Sequence, residues 1–438
     1  MENLSQIKHI GHQIHELATK LWPINRSITG EGVRETLKII SEILPKLKVR
    51  SLPSHTKVFD WTIPKEWAVE EAYIITPEGK KICDLSKNNL HLVGYSKPFK
   101  GSISFTELKK HLYTLPDQPN AIPYITSYYK ERWGFCMTQR EFDTLKDGTY
   151  KVEINSTLFD GEMNYGELLI KGKSDKEVFL STYICHPSMA NNELSGITVA
   201  TFIAKWLQEI HDLEYSYRIV FIPETIGSIA YLSRNYIDMK KKIFAGFNIS
   251  CVGDDRAYSY LPSRNGNSLS DMVAKHVLKW TDPNFVKYSW LDRGSDERQY
   301  CAPGIDLPIA SILRTMYGRY SEYHTSLDNL ENVVTPQGLK GGYLAIKKAI
   351  ETIENNKNYK SNILCEPHLA KRDLYTGVSR KGSDKDIILT LNFLSLCDGK
   401  NTLLNIAENL KVPIWELYHL VDKLKSHSLI DVNESVLE

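Results

Sequence analysis

The chain lacks any uninterrupted apolar run approaching the roughly 18 residues that a membrane-spanning helix needs. Its first residues, Met1-Glu2-Asn3-Leu4-Ser5-Gln6, offer no basic cluster ahead of an apolar core, so no secretory signal is expected. Paired cysteines are also missing. The seven present (Cys83, Cys136, Cys185, Cys251, Cys301, Cys365 and Cys397) stand singly, with no CxxC among them. That pattern excludes a disulfide framework and a cysteine-rich zinc knuckle, and points to reduced thiols in a cytoplasm. Charge of one sign is absent too: 54 Lys+Arg against 53 Asp+Glu leave +1, so no global field favours nucleic acid or an anionic membrane. The remainder is an ordinary globular composition, 42% hydrophobic and 24% charged. At roughly 150 residues per domain, 438 residues suggest two or three units.

The texture changes along the chain in four steps. Residues 1–51 read as two helices, the first carried by Ile7, Ile10, Ile14, Leu17 and Leu21, the second running from Val33 to before Pro45. A polar loop, Asn25-Arg26-Ser27-Ile28-Thr29-Gly30-Glu31-Gly32, joins them. Residues 52–160 hold short β-like runs (71–76, 90–95, 150–154) among prolines and dense aromatics, which suits an inserted β-rich domain. Residues 161–370 alternate buried strands (178–184, 218–223, 245–249, 309–313) with helices such as that carrying Val199, Phe202, Ile203, Trp206 and Leu207. The expected fold class is therefore α/β, a mixed but largely parallel sheet covered by helices on both faces. After a charged linker, Arg372 to Lys385, residues 371–438 read as a helix-turn-helix with a wing after Leu429.

In open α/β sheets ligands bind beyond the carboxyl ends of the strands, and four strand ends here carry unusual polar groups. The first runs into Cys185-His186-Pro187-Ser188, then Asn191-Asn192-Glu193-Leu194-Ser195-Gly196. His186 and Glu193 are half of a zinc-type donor set, although Asn192 or Ser195 could equally cap the helix. The second ends in Glu224-Thr225-Ile226-Gly227-Ser228, where Glu224 is either a general base or an acid at the helix start. The third is Asn248-Ile249-Ser250-Cys251-Val252-Gly253-Asp254-Asp255, whose adjacent acids read as solvated more readily than as ligands. The fourth is Tyr323-His324-Thr325-Ser326-Leu327-Asp328, with Gly294-Ser295-Asp296-Glu297 upstream.

Taken in order, these motifs resemble the zinc aminopeptidase and glutaminyl cyclase superfamily. Within it they resemble a bacterial branch described as aminopeptidase-like, with an inserted domain and a C-terminal winged helix. The resemblance implies zinc ligation by His186 and His324 and a general-base role for Glu224. It also implies losses, because the superfamily's bridging aspartate corresponds to Asn192, its second acid to Thr225 and its third carboxylate to Ser250. The reading is then one Zn2+ per protomer, held by His186, His324 and Glu193, in a hydrolase acting on a small peptide-like substrate. Arg26, Asn192, Asp296 and Tyr323 are the candidate substrate contacts. For Arg26 a structural salt bridge is the alternative, and Asp296 or Glu297 would be next in line as base. Two other readings stay open: a single-zinc acyl-transfer or cyclisation enzyme, and a non-catalytic scaffold that binds a ligand or partner. The tail has seven Lys/Arg and nine Asp/Glu between Arg380 and Glu438, so nucleic-acid binding is not expected of it. A homo-oligomer contact or a protein partner is the expectation there instead.

Overall fold

The computed structural model describes residues 4–372, 374 and 385–433. The chain divides into two compact units. One combines Met1–Asp271 with Asn284–Leu344, the other Met272–Pro283 with Ala345–Glu438.

The first unit is built on an eight-stranded sheet. Its order is Lys48–Pro53, Glu162–Ile170, Ser216–Ile222, Glu177–Tyr183, Ile243–Asn248, Ile309–Leu313, Ser259–Leu261 and Val286–Lys287. The four central strands run parallel. On the flanks, Glu162–Ile170 and Ser259–Leu261 pair antiparallel with their inner neighbours. Every residue of Glu177–Tyr183, Ser216–Ile222 and Ile309–Leu313 is buried. Strands buried on both sides need cover on both faces, and that cover comes from helices such as Glu31–Ile43, Ser195–Glu209 and Ile226–Lys242. The helix Leu4–Leu21 buries Ile10, Ile14, Leu17 and Leu21, the stripe that its spacing anticipates. Gly30, which precedes Glu31–Ile43, sits at φ 98°, and a Cβ there would lie 2.6 Å from the carbonyl oxygen of Trp67. Only glycine suits that position.

Strands Lys48–Pro53 and Glu162–Ile170 are direct partners, and the chain between them makes a long excursion. That excursion is a four-stranded antiparallel sheet in the order Lys81–Ile82, Glu66–Ile75, Thr149–Phe159, Phe99–Ser104. Its long strand Thr149–Phe159 alternates between exposed and buried over most of its length, as a sheet with one wet face should. The run 90–95, read from the sequence as β, is instead a short helical turn at Asn89–His91 followed by irregular chain. It holds only isolated bridges, Leu92 to Phe135 and Gly94 to Thr126.

In the second unit, helices Leu403–Leu410 and Ile414–Ser426 form the expected helix-turn-helix, with Lys411 in the left-handed conformation at the turn. A three-stranded sheet accompanies them, with Asn358–Ser361 between Asp398–Thr402 and Ile430–Val432. The strand Asn358–Ser361 lies upstream of residue 371, where the sequence suggests a boundary, yet its pairing assigns it to this sheet. The charged linker falls almost wholly outside the described residues. Among the described residues, no helix is long and apolar enough to cross a membrane.

Candidate functional site

His186, Glu224 and His324 line one cavity of about 310 Å³ at the carboxyl ends of the parallel strands. Three backbone devices put them there.

The first comes after the strand Glu177–Tyr183. Past His186 the chain enters a wide turn in which the Leu194 amide donates to the Met189 carbonyl, one residue beyond α spacing. The amides of Asn191 and Asn192 both donate to the carboxylate of Asp328, at 2.8 and 3.0 Å. A buried acid thus satisfies the free N–H groups that open the helix. Burial raises the Asp328 carboxyl to about 6, against the pull of those two amides. The geometry brings Glu193 back onto His186, with Oε2 2.9 Å from Nδ1. Burial raises Glu193 above the ordinary carboxylate range, although His186 and Arg26 pull it down. Burial opposes charge on His186 as well, yet the adjacent Cys185 and Glu193 outweigh it and raise its pKa.

The second device comes after Ser216–Ile222. Thr225 sits at φ 64°, ψ −75°, and the Ile226 amide donates to the Glu224 carbonyl at 2.8 Å. This is a γ-turn of the strained hand. It is held by Asp296, whose Oδ1 accepts from the Thr225 amide at 2.7 Å and the Ser228 hydroxyl at 2.8 Å. The turn swings the Glu224 side chain away from the helix it precedes, so Glu224 caps nothing and faces the cavity. Its Oε1 accepts from the Ser295 hydroxyl at 2.8 Å, and its Oε2 lies 3.7 Å from Nε2 of His186. Asp296 itself is sealed in, and burial together with the Glu224 charge pushes its carboxyl up to about 8.

The third device carries His324, at φ 56°, on a loop stitched to the inserted domain. Pro123 bridges Thr325, the Tyr124 amide donates to the His324 carbonyl at 2.9 Å, and the Ser326 amide donates to the Ile122 carbonyl. The Tyr124 ring lies 5.2 Å from each of the two imidazoles, which are 5.6 Å apart. Nε2 of His324 is buried with no hydrogen-bond partner, and burial followed by the His186 charge pushes this imidazole down to about 3.

The other sequence-derived candidates lie behind this surface. Arg26 is buried, donates to the carbonyls of His186 and Leu21, and stands 3.8 Å from Glu193. Its guanidinium turns inward to these groups, and Arg26 is not among the residues that line the cavity. Asn192 accepts from the Tyr183 hydroxyl, also out of the cavity. Tyr323 stacks on His324 at 3.9 Å. Asp254 is buried and bonded to Thr315 and Asn191, while Asp255 accepts from the Thr335 hydroxyl, so neither reaches the site. Glu297 is consumed by the amides of Gly294 and Ser295, the Tyr317 hydroxyl and Asn248.

The sequence reading missed the aromatic half of the cavity, Trp61, Tyr124, Tyr128 and Tyr129, all from the inserted domain. It also missed Cys185, whose sulfur accepts from the Glu224 amide at 3.3 Å. Among the described residues, one cluster brings three possible metal donors within 4.8 Å of one another: Cys185, His186 and Glu193. Burial pushes the Cys185 thiol up to about 11.

Comparison with known proteins places a boundary after residue 356, just ahead of the strand Asn358–Ser361. Residues 15–356 match a family described as a domain of unknown function, DUF4910, and residues 357–432 match a winged helix-turn-helix. A Clostridium acetobutylicum protein is 44% identical over 417 residues, 94% of this chain and 95% of that one. Its name proposes polysaccharide biosynthesis and an aminopeptidase-like domain. A crystal structure from Clostridium acetobutylicum, of a protein proposed to be a peptidase, superposes with a TM-score of 0.92 at 41% identity, covering 98% of both chains. A zinc aminopeptidase from Bacillus subtilis shares the fold alone, with a TM-score of 0.57 at 12% identity over 79% of this chain and 94% of that one. The chain belongs to the DUF4910 family, an aminopeptidase-like α/β domain with a winged helix-turn-helix after it.

Proposed function

We propose that this protein is a zinc-dependent hydrolase that cleaves an amide bond in a small peptide-like substrate, with Glu224 as general base. The observation that carries this reading is the meeting of Glu224, His186 and His324 on one cavity, where Nε2 of His324 has no partner. A buried polar nitrogen left unpaired is costly, so its persistence argues for something that binds it. An imidazole held neutral, as burial holds His324, is the form that ligates zinc. His186 suits the same role by geometry, because Glu193 takes its Nδ1 and leaves Nε2 on the side of Glu224, where a cation would take the place of the proton that Cys185 and Glu193 favour.

These residues fit a zinc ion, with His186 and His324 holding it. Glu193 then acts as the carboxylate that fixes the orientation of a ligating histidine, not as the third ligand inferred from sequence. One ion per protomer remains the expectation, since Asn192 is engaged by Tyr183 and Thr225 and Ser250 carry no carboxylate. Bound zinc supplies Lewis-acid polarisation of a carbonyl and a water acidified toward a pKa of about 7. Glu224 accepts the proton of the attacking water and delivers it to the departing nitrogen. The hydroxyl of Ser295 fixes one oxygen of that carboxylate and leaves the other for the proton. The Clostridium relative's name adds a setting, polysaccharide biosynthesis, in which the amide would be an N-acyl group on a sugar.

Elemental analysis and kinetics test this together. About one zinc per chain is expected, lost in His186→Ala and in His324→Ala. Glu224→Gln should keep the metal and lose about 10²–10⁴-fold in turnover. Two tightly held equivalents, or none under metal-replete conditions, would contradict the reading. For the winged helix we propose a protein or self-association contact, given its balance of seven basic against nine acidic residues. An anisotropy titration showing micromolar, salt-sensitive DNA binding would overturn that.

A further inference from the structure

The cavity that holds Glu224 opens past two aromatic side chains that the catalytic reading does not use. Trp61 and Tyr129 both line it, yet remain 39% and 57% exposed. The inserted domain already buries Trp67, Tyr95, Trp133 and Tyr150 in a core continuous with that of the sheet, so the core does not account for two further large rings that face water. Each comes from a different part of the insert. Trp61 is on a two-residue strand paired with Lys57–Val58, and Tyr129 is in the loop that also supplies Tyr124 and Tyr128. They meet edge to face, with centroids 5.6 Å apart and planes at 70°. Two rings so crossed make a corner, and a corner of aromatic surface beside a cavity is a seat for a third flat group.

We propose that Trp61 and Tyr129 form an outer subsite that stacks an uncharged, flat-faced ring of the substrate, one group away from the bond held at Glu224. This rests on the amide-hydrolase reading of the same cavity. The charge of the wall sets the class of ligand. Among the described residues lining the cavity, Glu224 is the one carboxylate and there is no Lys or Arg. Away from the histidines an anionic ring finds no Lys or Arg to pair with, and Glu224 is reserved for the proton. An aromatic side chain and the apolar face of a pyranose share the required surface, and the insert is the part of the chain that selects for it.

Ligand-observed NMR titration of the full-length protein tests the subsite without turnover. The probes are N-acetylphenylalaninamide, N-acetylglucosamine and, as the non-ring control, N-acetylleucinamide. One or both ring probes should bind wild type more tightly than the leucine control. Trp61→Ala and Tyr129→Ala should each weaken that binding by about 3- to 10-fold, the worth of one aromatic pair. Trp61→Phe should restore most of it, and Glu224→Gln should leave it unchanged. Phenylalaninamide alone identifies an aromatic side chain, and N-acetylglucosamine alone a sugar. Binding that survives in a protein with no hydrolytic activity upholds the subsite while the catalytic reading fails. Equal affinity for all three probes, or alanine variants that bind like wild type, overturns the subsite and leaves the catalytic reading standing.

Discussion

The parallel sheet and the inserted domain contribute opposite walls of one cavity, and they are encoded in the sequence in different ways. The sheet's central strands are apolar runs buried on both faces, so their positions can be read from composition to within about two residues. The residues just past a strand are then fixed in space, which places His186 and Glu224, whereas His324 lies on a loop well beyond Leu313 and is singled out by the family resemblance. The insert offers alternating strands and, between residues 105 and 148, mostly short turns and irregular chain. Its contribution to the cavity, Trp61 and the Tyr124–Tyr129 loop, has no period to detect. In this architecture the sheet's side of the cavity is largely legible from strand ends, and the insert's side is not.

The widest gap between the two regions should appear in stability. Phe247 lies at the centre of the sheet with no exposed surface. Phe247→Ala should cost about 3–5 kcal/mol, read as a lower urea midpoint, whereas Trp61→Ala should move that midpoint little. A Phe247→Ala loss below about 1 kcal/mol would mean the sheet is looser than its burial implies.

Next in size is the γ-turn at Thr225. Asp296→Ala removes the acceptor that holds the turn's amide, and a displacement of Glu224 by about 1 Å can cost on the order of 10²-fold in turnover. Zinc content should not change. Asp296→Asn keeps an oxygen for the Thr225 amide and should be the milder variant. Equal activity in wild type and Asp296→Ala would show that the strained turn sustains itself.

A smaller effect is expected at the seam. Tyr124→Phe should behave as wild type, because the ring packs against both imidazoles while its hydroxyl reaches only Tyr128. Tyr124→Ala should raise KM more than it lowers kcat, by less than about 10-fold, since one aromatic contact is worth about 0.5–1.5 kcal/mol. If the Phe variant is as impaired as the Ala variant, the hydroxyl pair and not the ring is the part that the substrate meets.

Where the structure differs from the sequence expectation, the difference is one of direction rather than location. The spacing of His186 and Glu193 places a carboxylate near an imidazole, but cannot say that it takes Nδ1 and so sits behind the ring. Arg26 stands beside the site, and its guanidinium turns inward to the His186 carbonyl. Asp296, a candidate substrate contact, is buried under the γ-turn, and nothing in Gly-Ser-Asp-Glu reveals which amide it will accept from. The strand Asn358–Ser361 is four residues long with one apolar side chain, Tyr359, too little to mark it as the start of the C-terminal sheet.

The least effect should come from the second unit, where pH acts through His276. Its Nε2 accepts from the Ile414 amide at 2.9 Å, at the start of the helix Ile414–Ser426, and its Nδ1 faces Glu408 at 2.5 Å. The ring is therefore the neutral tautomer with its proton on Nδ1. Burial lowers its pKa from the ordinary imidazole value, the Glu408 charge works in the opposite direction, and Lys279 adds to the lowering. A base depressed in the folded state binds fewer protons there than in the unfolded chain. The stability it confers is complete above the unfolded value of about 6.5 and is lost as pH falls through the lower folded value. Acidification should thus reduce the hydrogen-exchange protection of the Ile414 amide before that of Phe247 in the sheet, after correction for the intrinsic rate. His276→Gln keeps a side-chain acceptor that does not titrate over this range, and should flatten the pH dependence. Protection at Ile414 that holds steady between pH 7 and pH 5 would show that this hydrogen bond does not fasten the helix start.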